Sequence, residues 1–138
     1  MNSVKKSPKK ILIVDDDAGM VKLLDKWLKV AGYETAAAFD GYTAVDRAQS
    51  EKPDLILLDV LLPDLNGTDV VKKLKAIPDA QDIPVVFMTV CINQEDDKGD
   101  EKIGVDGKQY PAFAKPLHNP KLLAVIRKEI NKRIHGNL

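Results

Sequence analysis

The chain has 138 residues, with 21 Lys+Arg against 21 Asp+Glu and a formal net charge of zero. That length suits one domain with a core of its own, and the charge balance leaves no global field to draw nucleic acid or an anionic membrane surface. A lone cysteine, Cys91, excludes an intrachain disulfide framework, no apolar run approaches a membrane span, and the start MNSVKKSPKK lacks a signal peptide's apolar core; the chain reads as cytoplasmic, with neither nucleic acid nor membrane as partner.

Residues 1–9 read as a flexible, lysine-rich tail, residues 10–135 as a single folded domain and residues 136–138 as a C-terminal tail. The first strand is Lys10 to Val14. Met20, Leu24, Trp27, Leu28 and Ala31 then repeat at helical spacing and Gly32 supplies the stop. A short strand, Glu34 to Ala38, precedes a helix that starts at Asp40 or Gly41 and ends before Pro53. DLILLD is a continuous apolar strand, buried on both faces if its sheet is parallel. After the turn LLPDLNG, Val70, Val71, Leu74 and Ile77 mark a third helix, and IPVVFMT is the fourth strand. The glycine-rich, acidic stretch NQEDDKGDEKIGVDGKQY reads as a loop with at most a short helical piece. AFAK is the fifth strand. A last helix is capped by Asn119, carries Pro120 at its first position, and turns Leu122, Leu123, Ile126, Ile130 and Ile134 to the core.

This alternation predicts an α/β fold on a parallel sheet. Such a sheet brings the carboxyl ends of its strands to one edge, where ligands bind. Asp15, Asp16 and Asp17 end the first strand, Asp59 the third, Thr89 the fourth and Lys115 the fifth. Carboxylates about 5 Å apart at an effective dielectric near 20 repel by roughly 3 kcal/mol per pair. One aspartate before a helix is ordinarily an N-cap, but capping does not account for all three. Two carboxylates from one strand and a third from another make a hard-oxygen site suited to Mg²⁺ or Mn²⁺, and a lysine across the site holds part of the repulsion in check without metal. With the ion present, one carboxylate can attack phosphorus while cation and lysine neutralise the equatorial oxygens.

Four motifs in chain order, IVDDD, LLDVLLPDLNG, VVFMTV and AFAKPL, resemble the receiver domain of two-component response regulators, in the stand-alone, chemotaxis-regulator-like form. The resemblance spans nearly the whole chain and implies a flavodoxin-like, doubly wound sheet of five parallel strands in the order 2-1-3-4-5, with the fourth helix here short or irregular. It implies that Asp59 is the phosphoacceptor, modified by a sensor histidine kinase or a histidine phosphotransfer protein. Asp15, Asp16 and Asp59 would hold Mg²⁺ with the backbone carbonyl of Leu61, Thr89 and Lys115 would bind phosphoryl oxygens, and Asp17 would be a cap. The expected protein is a phosphoacceptor switch rather than an enzyme. It acts on a downstream target protein, with a phosphorylation-dependent homodimer left open and no DNA-binding output domain.

This sequence departs from the family pattern at several positions. The position three before the lysine, usually Tyr or Phe, is Ala112, with Tyr110 and Phe113 off register. The chain between Thr89 and Lys115 is longer than usual. Leu61 and Cys91, two beyond Asp59 and Thr89, carry no group able to orient an attacking water, which predicts slow dephosphorylation. Two alternatives stand beside this reading: a receiver-like interaction module independent of phosphate, and a small Mg²⁺-dependent phosphohydrolase of the haloacid dehalogenase type, for which Asp15 and Asp17 supply an Asp-x-Asp. Against the second, there is no cap domain and no use for Asp59.

Overall fold

A computed structural model of the chain describes residues 7–90, 101–115 and 121–135. The elements are β1 (Lys10–Val14), α1 (Ala18–Val30), β2 (Glu34–Ala38), α2 (Gly41–Glu51), β3 (Leu55–Asp59), α3 (Gly67–Lys75), β4 (Val85–Thr89), β5 (Lys102–Val105), β6 (Lys108–Ala114) and α4 (Lys121–His135). They form one sheet in the order β2-β1-β3-β4-β6-β5. The first five strands of that order are parallel, and β5 joins the edge antiparallel to β6.

The apolar runs of β1 and β3 are buried on both faces because helices cover both sides. Leu12, Val14, Ile56 and Leu58 pack with Val70, Val71 and Leu74 in one layer. Ile11, Ile13, Leu55 and Leu57 pack with Val21, Leu24, Leu28, Leu122, Ile126 and Ile130 in the other. Local chemistry sets the helix ends. Asp17 caps α1 by accepting from the Gly19 and Met20 N–H groups at 2.9 and 3.2 Å, and Asp40 caps α2 through the Thr43 N–H at 2.7 Å. Gly32, with φ of +97°, turns the chain after α1.

The expected five-strand order holds for β2, β1, β3, β4 and β6, but the sheet has a sixth strand. Part of the stretch expected to be loop with a short helix is instead a hairpin: β5 turns into β6 through Asp106 and Gly107, whose φ values of 50° and 83° suit a two-residue turn of the type that matches strand twist. The predicted strand AFAK is therefore only the end of β6. Val105 and Tyr110 bury against the core, which holds the hairpin on the sheet. Two side chains also differ from expectation. Ile77 lies past the end of α3, since Pro78 disfavours helical backbone at the residue before it. Ile134, expected in the core, is 49 % exposed on the last turn of α4. The readings for Cys91, Asn119 and Pro120 fall outside the described residues.

Candidate functional site

β1 and β3 are adjacent, β3 pairs with β4, and β4 with β6, so their carboxyl ends stand side by side at the spacing of neighbouring strands. The edge carries Asp15, Asp59, Thr89 and Lys115. Asp15, Asp59 and Thr89 are 0 %, 4 % and 1 % exposed and are buried polar residues in an otherwise apolar interior. Asp16 is exposed at the mouth, and Asp17 turns away to cap α1. The backbone fixes these positions: the Lys115 N–H donates to the Thr89 carbonyl at 2.9 Å, the Asp15 N–H to Ala38 at 3.2 Å and the Val60 N–H to Met88 at 3.0 Å.

The Lys115 ammonium lies between the carboxylates, 2.8 Å from Asp15 Oδ2 and 3.1 Å from Asp59 Oδ2. It donates a hydrogen bond to Asp59. Asp15 Oδ2 is fully buried and has no aligned hydrogen-bond donor despite that short charge contact. On the other side of the site, the Leu61 N–H donates to Asp59 Oδ1 at 3.3 Å, and the Asp17 N–H to Asp15 Oδ1 at 3.0 Å. Burial pushes the Asp59 carboxyl above its ordinary range, the Asp15 charge adds to the push, and Lys115 opposes both. For Lys115, burial works against the charged form, but bonding and attraction to Asp15 and Asp59 outweigh it and leave the ammonium more firmly protonated than a free lysine.

Oxygens of Asp15, Asp16 and Asp59 lie within 4.8 Å of one another. Octahedral Mg²⁺ with ligands at about 2.1 Å keeps its oxygens within about 4.2 Å, so a small side-chain adjustment would suffice. Asp15 Oδ2 is a further fit: it is buried and meets the Lys115 ammonium at 2.8 Å without hydrogen-bond alignment, so it keeps a lone pair for a cation. Leu61 follows at the loop with its side chain 51 % exposed.

The turn from Asp59 into α3 is close-packed. The Gly67 N–H donates to the Val60 carbonyl at 2.7 Å, and a Cβ at Gly67 would stand 2.5 Å from the Asp59 carbonyl oxygen. Gly67→Ala is therefore expected to lower the unfolding free energy by about 2 kcal/mol through overpacking, read as a lower urea midpoint; an unchanged midpoint contradicts this packing.

Ala112 is buried opposite Phe87 on β4. Tyr110, one step back along the same face of β6, meets the Phe87 ring edge-on at 5.9 Å and 86°. Phe113 enters the opposite core layer. The position where the family usually has an aromatic thus holds Ala112, and the Phe87–Tyr110 ring pair lies one step back along the strands. Among the described residues, Asp64, an ordinary turn residue by its sequence setting, accepts from the Gly41 and Tyr42 N–H groups at the start of α2.

The sequence profile described as "Response regulator receiver domain" matches residues 11–127. The chain belongs to the response regulator receiver family. It is 38 % identical over 118 residues to Response regulator PleD of Caulobacter vibrioides, covering 86 % of this chain and 25 % of that protein. It is 34 % identical over 120 residues to Polar-differentiation response regulator DivK of Brucella anthropi, covering 87 % of this chain and 94 % of that one. The chain thus spans only part of some relatives and nearly all of others. Among solved structures, the chemotaxis response regulator CheY4 of Vibrio cholerae superposes with a TM-score of 0.70 at 28 % identity, over 89 % of this chain and 99 % of that chain. The receiver domain of sensor histidine kinase PA1611 from Pseudomonas aeruginosa PAO1, which has a magnesium ion coordinated in its active site cleft, shares the fold with a TM-score of 0.75 at 24 % identity, over 91 % and 99 %. The chain is a single receiver-sized domain of two-component signalling. No described helix is long and apolar enough to cross a membrane.

Proposed function

We propose that Asp59 takes a phosphoryl group from the phosphohistidine of a sensor histidine kinase or a histidine phosphotransfer protein, in a reaction that uses Mg²⁺ held by Asp15, Asp16, Asp59 and the Leu61 carbonyl. The observation that carries this reading is the meeting of three carboxylates with Lys115 at the strand edge, one carboxylate oxygen being buried without an aligned donor. When bound, Mg²⁺ supplies charge neutralisation for the phosphoryl oxygens. Asp59 is the nucleophile: its oxygen bonds to phosphorus as the phosphorus–nitrogen bond breaks, and the donor imidazole keeps the electron pair. Burial and the neighbouring Asp15 make the Asp59 carboxylate more basic than an exposed one, and Lys115 keeps its charge across the reaction. The Lys115 ammonium and the Thr89 hydroxyl then bind oxygens of the new phosphoryl group. Such contacts exist only in the modified state, so they shift the population toward the loop arrangement that makes them. That arrangement is read by a downstream target protein.

Loss of the phosphoryl group needs water in line with the Asp59–phosphorus bond. Leu61 offers an exposed apolar side chain where an amide or acid could orient that water. Leu61→Asn is expected to shorten the half-life of the phosphorylated protein several-fold, followed by intact mass over time; an unchanged half-life removes Leu61 from this role. The reading as a whole is tested by incubating the protein with acetyl phosphate, with Mg²⁺ and with EDTA. A single phosphoryl addition that requires Mg²⁺ supports it. No addition, in a folded protein that accepts no phosphoryl group from any histidine kinase tried, favours a phosphate-independent interaction module.

A further inference from the structure

Asp64 lies in the loop between β3 and α3, and its carboxylate is committed to backbone. Oδ1 accepts from the Gly41 N–H at 2.7 Å and from the Leu65 N–H at 2.8 Å, and Oδ2 accepts from the Tyr42 N–H at 3.0 Å. Gly41 and Tyr42 are the first residues of α2, whose free N–H groups and dipole favour a negative charge there. These bonds, that of Tyr42 foremost, hold the Asp64 carboxyl below its ordinary range although the residue is open to solvent. The approach is close as well as polar. A Cβ at Gly41 would stand 2.7 Å from the Leu65 Cβ and 3.1 Å from Asp64 Oδ1, so only glycine lets the loop lie against the helix. The helix already has its own cap in Asp40, through the Thr43 N–H. Asp64 therefore does more than finish a helix: it ties α2 to the segment that begins at Asp59.

We infer that Asp64 is a positioning residue for the phosphoacceptor site, clamping the loop that carries Leu61 so that its carbonyl and Asp59 stay in register with Asp15 and Asp16. This inference rests on the function proposed above. The two ends of the loop are joined by the Gly67–Val60 hydrogen bond, Leu62 and Leu65 pack half-buried against the core, and the Asp64 clamp adds the polar tie of this segment to α2. A loop left free there would retain its fold and lose the alignment of one oxygen donor, which is how partners behind the metal ligands tune affinity.

The test compares Asp64→Ala with Asp40→Ala, because both remove a side-chain cap from the same helix end and only the first frees the loop. Mg²⁺ affinity is measured by calorimetry and amide exchange of residues 60–66 by mass spectrometry, each on the full chain. Asp64→Ala is expected to weaken Mg²⁺ binding about tenfold and to speed exchange in the loop, with Asp40→Ala close to wild type in both. Equal effects of the two variants, or a wild-type Mg²⁺ affinity in Asp64→Ala, overturn the inference while leaving the proposed function intact. A wild-type protein that neither binds Mg²⁺ nor accepts a phosphoryl group overturns the proposed function, and this inference with it.

Discussion

Lys115→Met is expected to cost the metal-free protein about 3 kcal/mol of stability, at the lower end of what breaking a buried ion pair does. The reason is geometric. Asp15 and Asp59 are 0 % and 4 % exposed, and Lys115 Nζ stands 2.8 and 3.1 Å from their Oδ2 atoms. A methionine fills similar space and leaves two neighbouring carboxylates with their mutual repulsion uncompensated. The pH dependence follows from the direction of the lysine's shift. Its folded-state pKa lies above the ordinary 10.5, so its contribution is fully present below that value and fades only as pH rises through the raised one. The difference between wild type and variant should thus be constant through neutral pH and shrink in strong alkali. Added Mg²⁺ should close much of the gap, since a cation bound to the same carboxylates replaces the lost charge and stabilises by mass action. Urea unfolding with EDTA and with Mg²⁺ gives both numbers; a variant within about 0.5 kcal/mol of wild type in EDTA would behave as an ordinary surface substitution and would contradict this picture.

Asp59→Asn should remove the phosphoryl addition entirely and, without metal, raise rather than lower stability. Its folded-state pKa is raised by burial and by Asp15, against the pull of Lys115, so the ionised carboxylate is a net burden on the fold. A raised pKa means that the Asp59 contribution is present below the ordinary 3.8 and is lost as pH rises through the shifted value. The advantage of asparagine should accordingly appear at neutral pH and vanish in acid. Loss of the Lys115 ion pair offsets part of the gain, so the sign of the difference is the quantity to read. Mg²⁺ should stabilise this variant less than wild type because a ligand is lost. Urea midpoints at neutral and acid pH read the sign; a destabilised variant at neutral pH would mean that the Lys115 bond dominates.

Much of the fold was legible because burial writes itself into sequence. Ile11–Val14 and Leu55–Leu58 are apolar at every position, which a strand can be only when both faces are covered. Asp17, Gly32 and Asp40 announce helix ends through the hydrogen bonds and the φ that those ends require. The site was legible because Asp15, Asp59, Thr89 and Lys115 each end a strand, and parallel strands share an edge. The hairpin was not. β5 and the first half of β6 turn Lys102, Lys108 and Gln109 outward and bury only Val105 and Tyr110, so the alternation there is short and the polar stretch reads as loop. The Asp106-Gly107 pair was the available signal. Asp64 was hidden for a different reason. Its partners are backbone N–H groups 22 and 23 residues away, and backbone donors carry no side-chain signature.

The measurement that bears most directly on the account is the identity of the residue that carries phosphate. After reaction with acetyl phosphate and Mg²⁺, sodium borohydride reduces an aspartyl phosphate to homoserine, and peptide sequencing by mass spectrometry finds the position. Homoserine is expected at position 59, with aspartate retained at 15, 16 and 17. Homoserine at position 15, or phosphorylation with no homoserine at position 59, would contradict it.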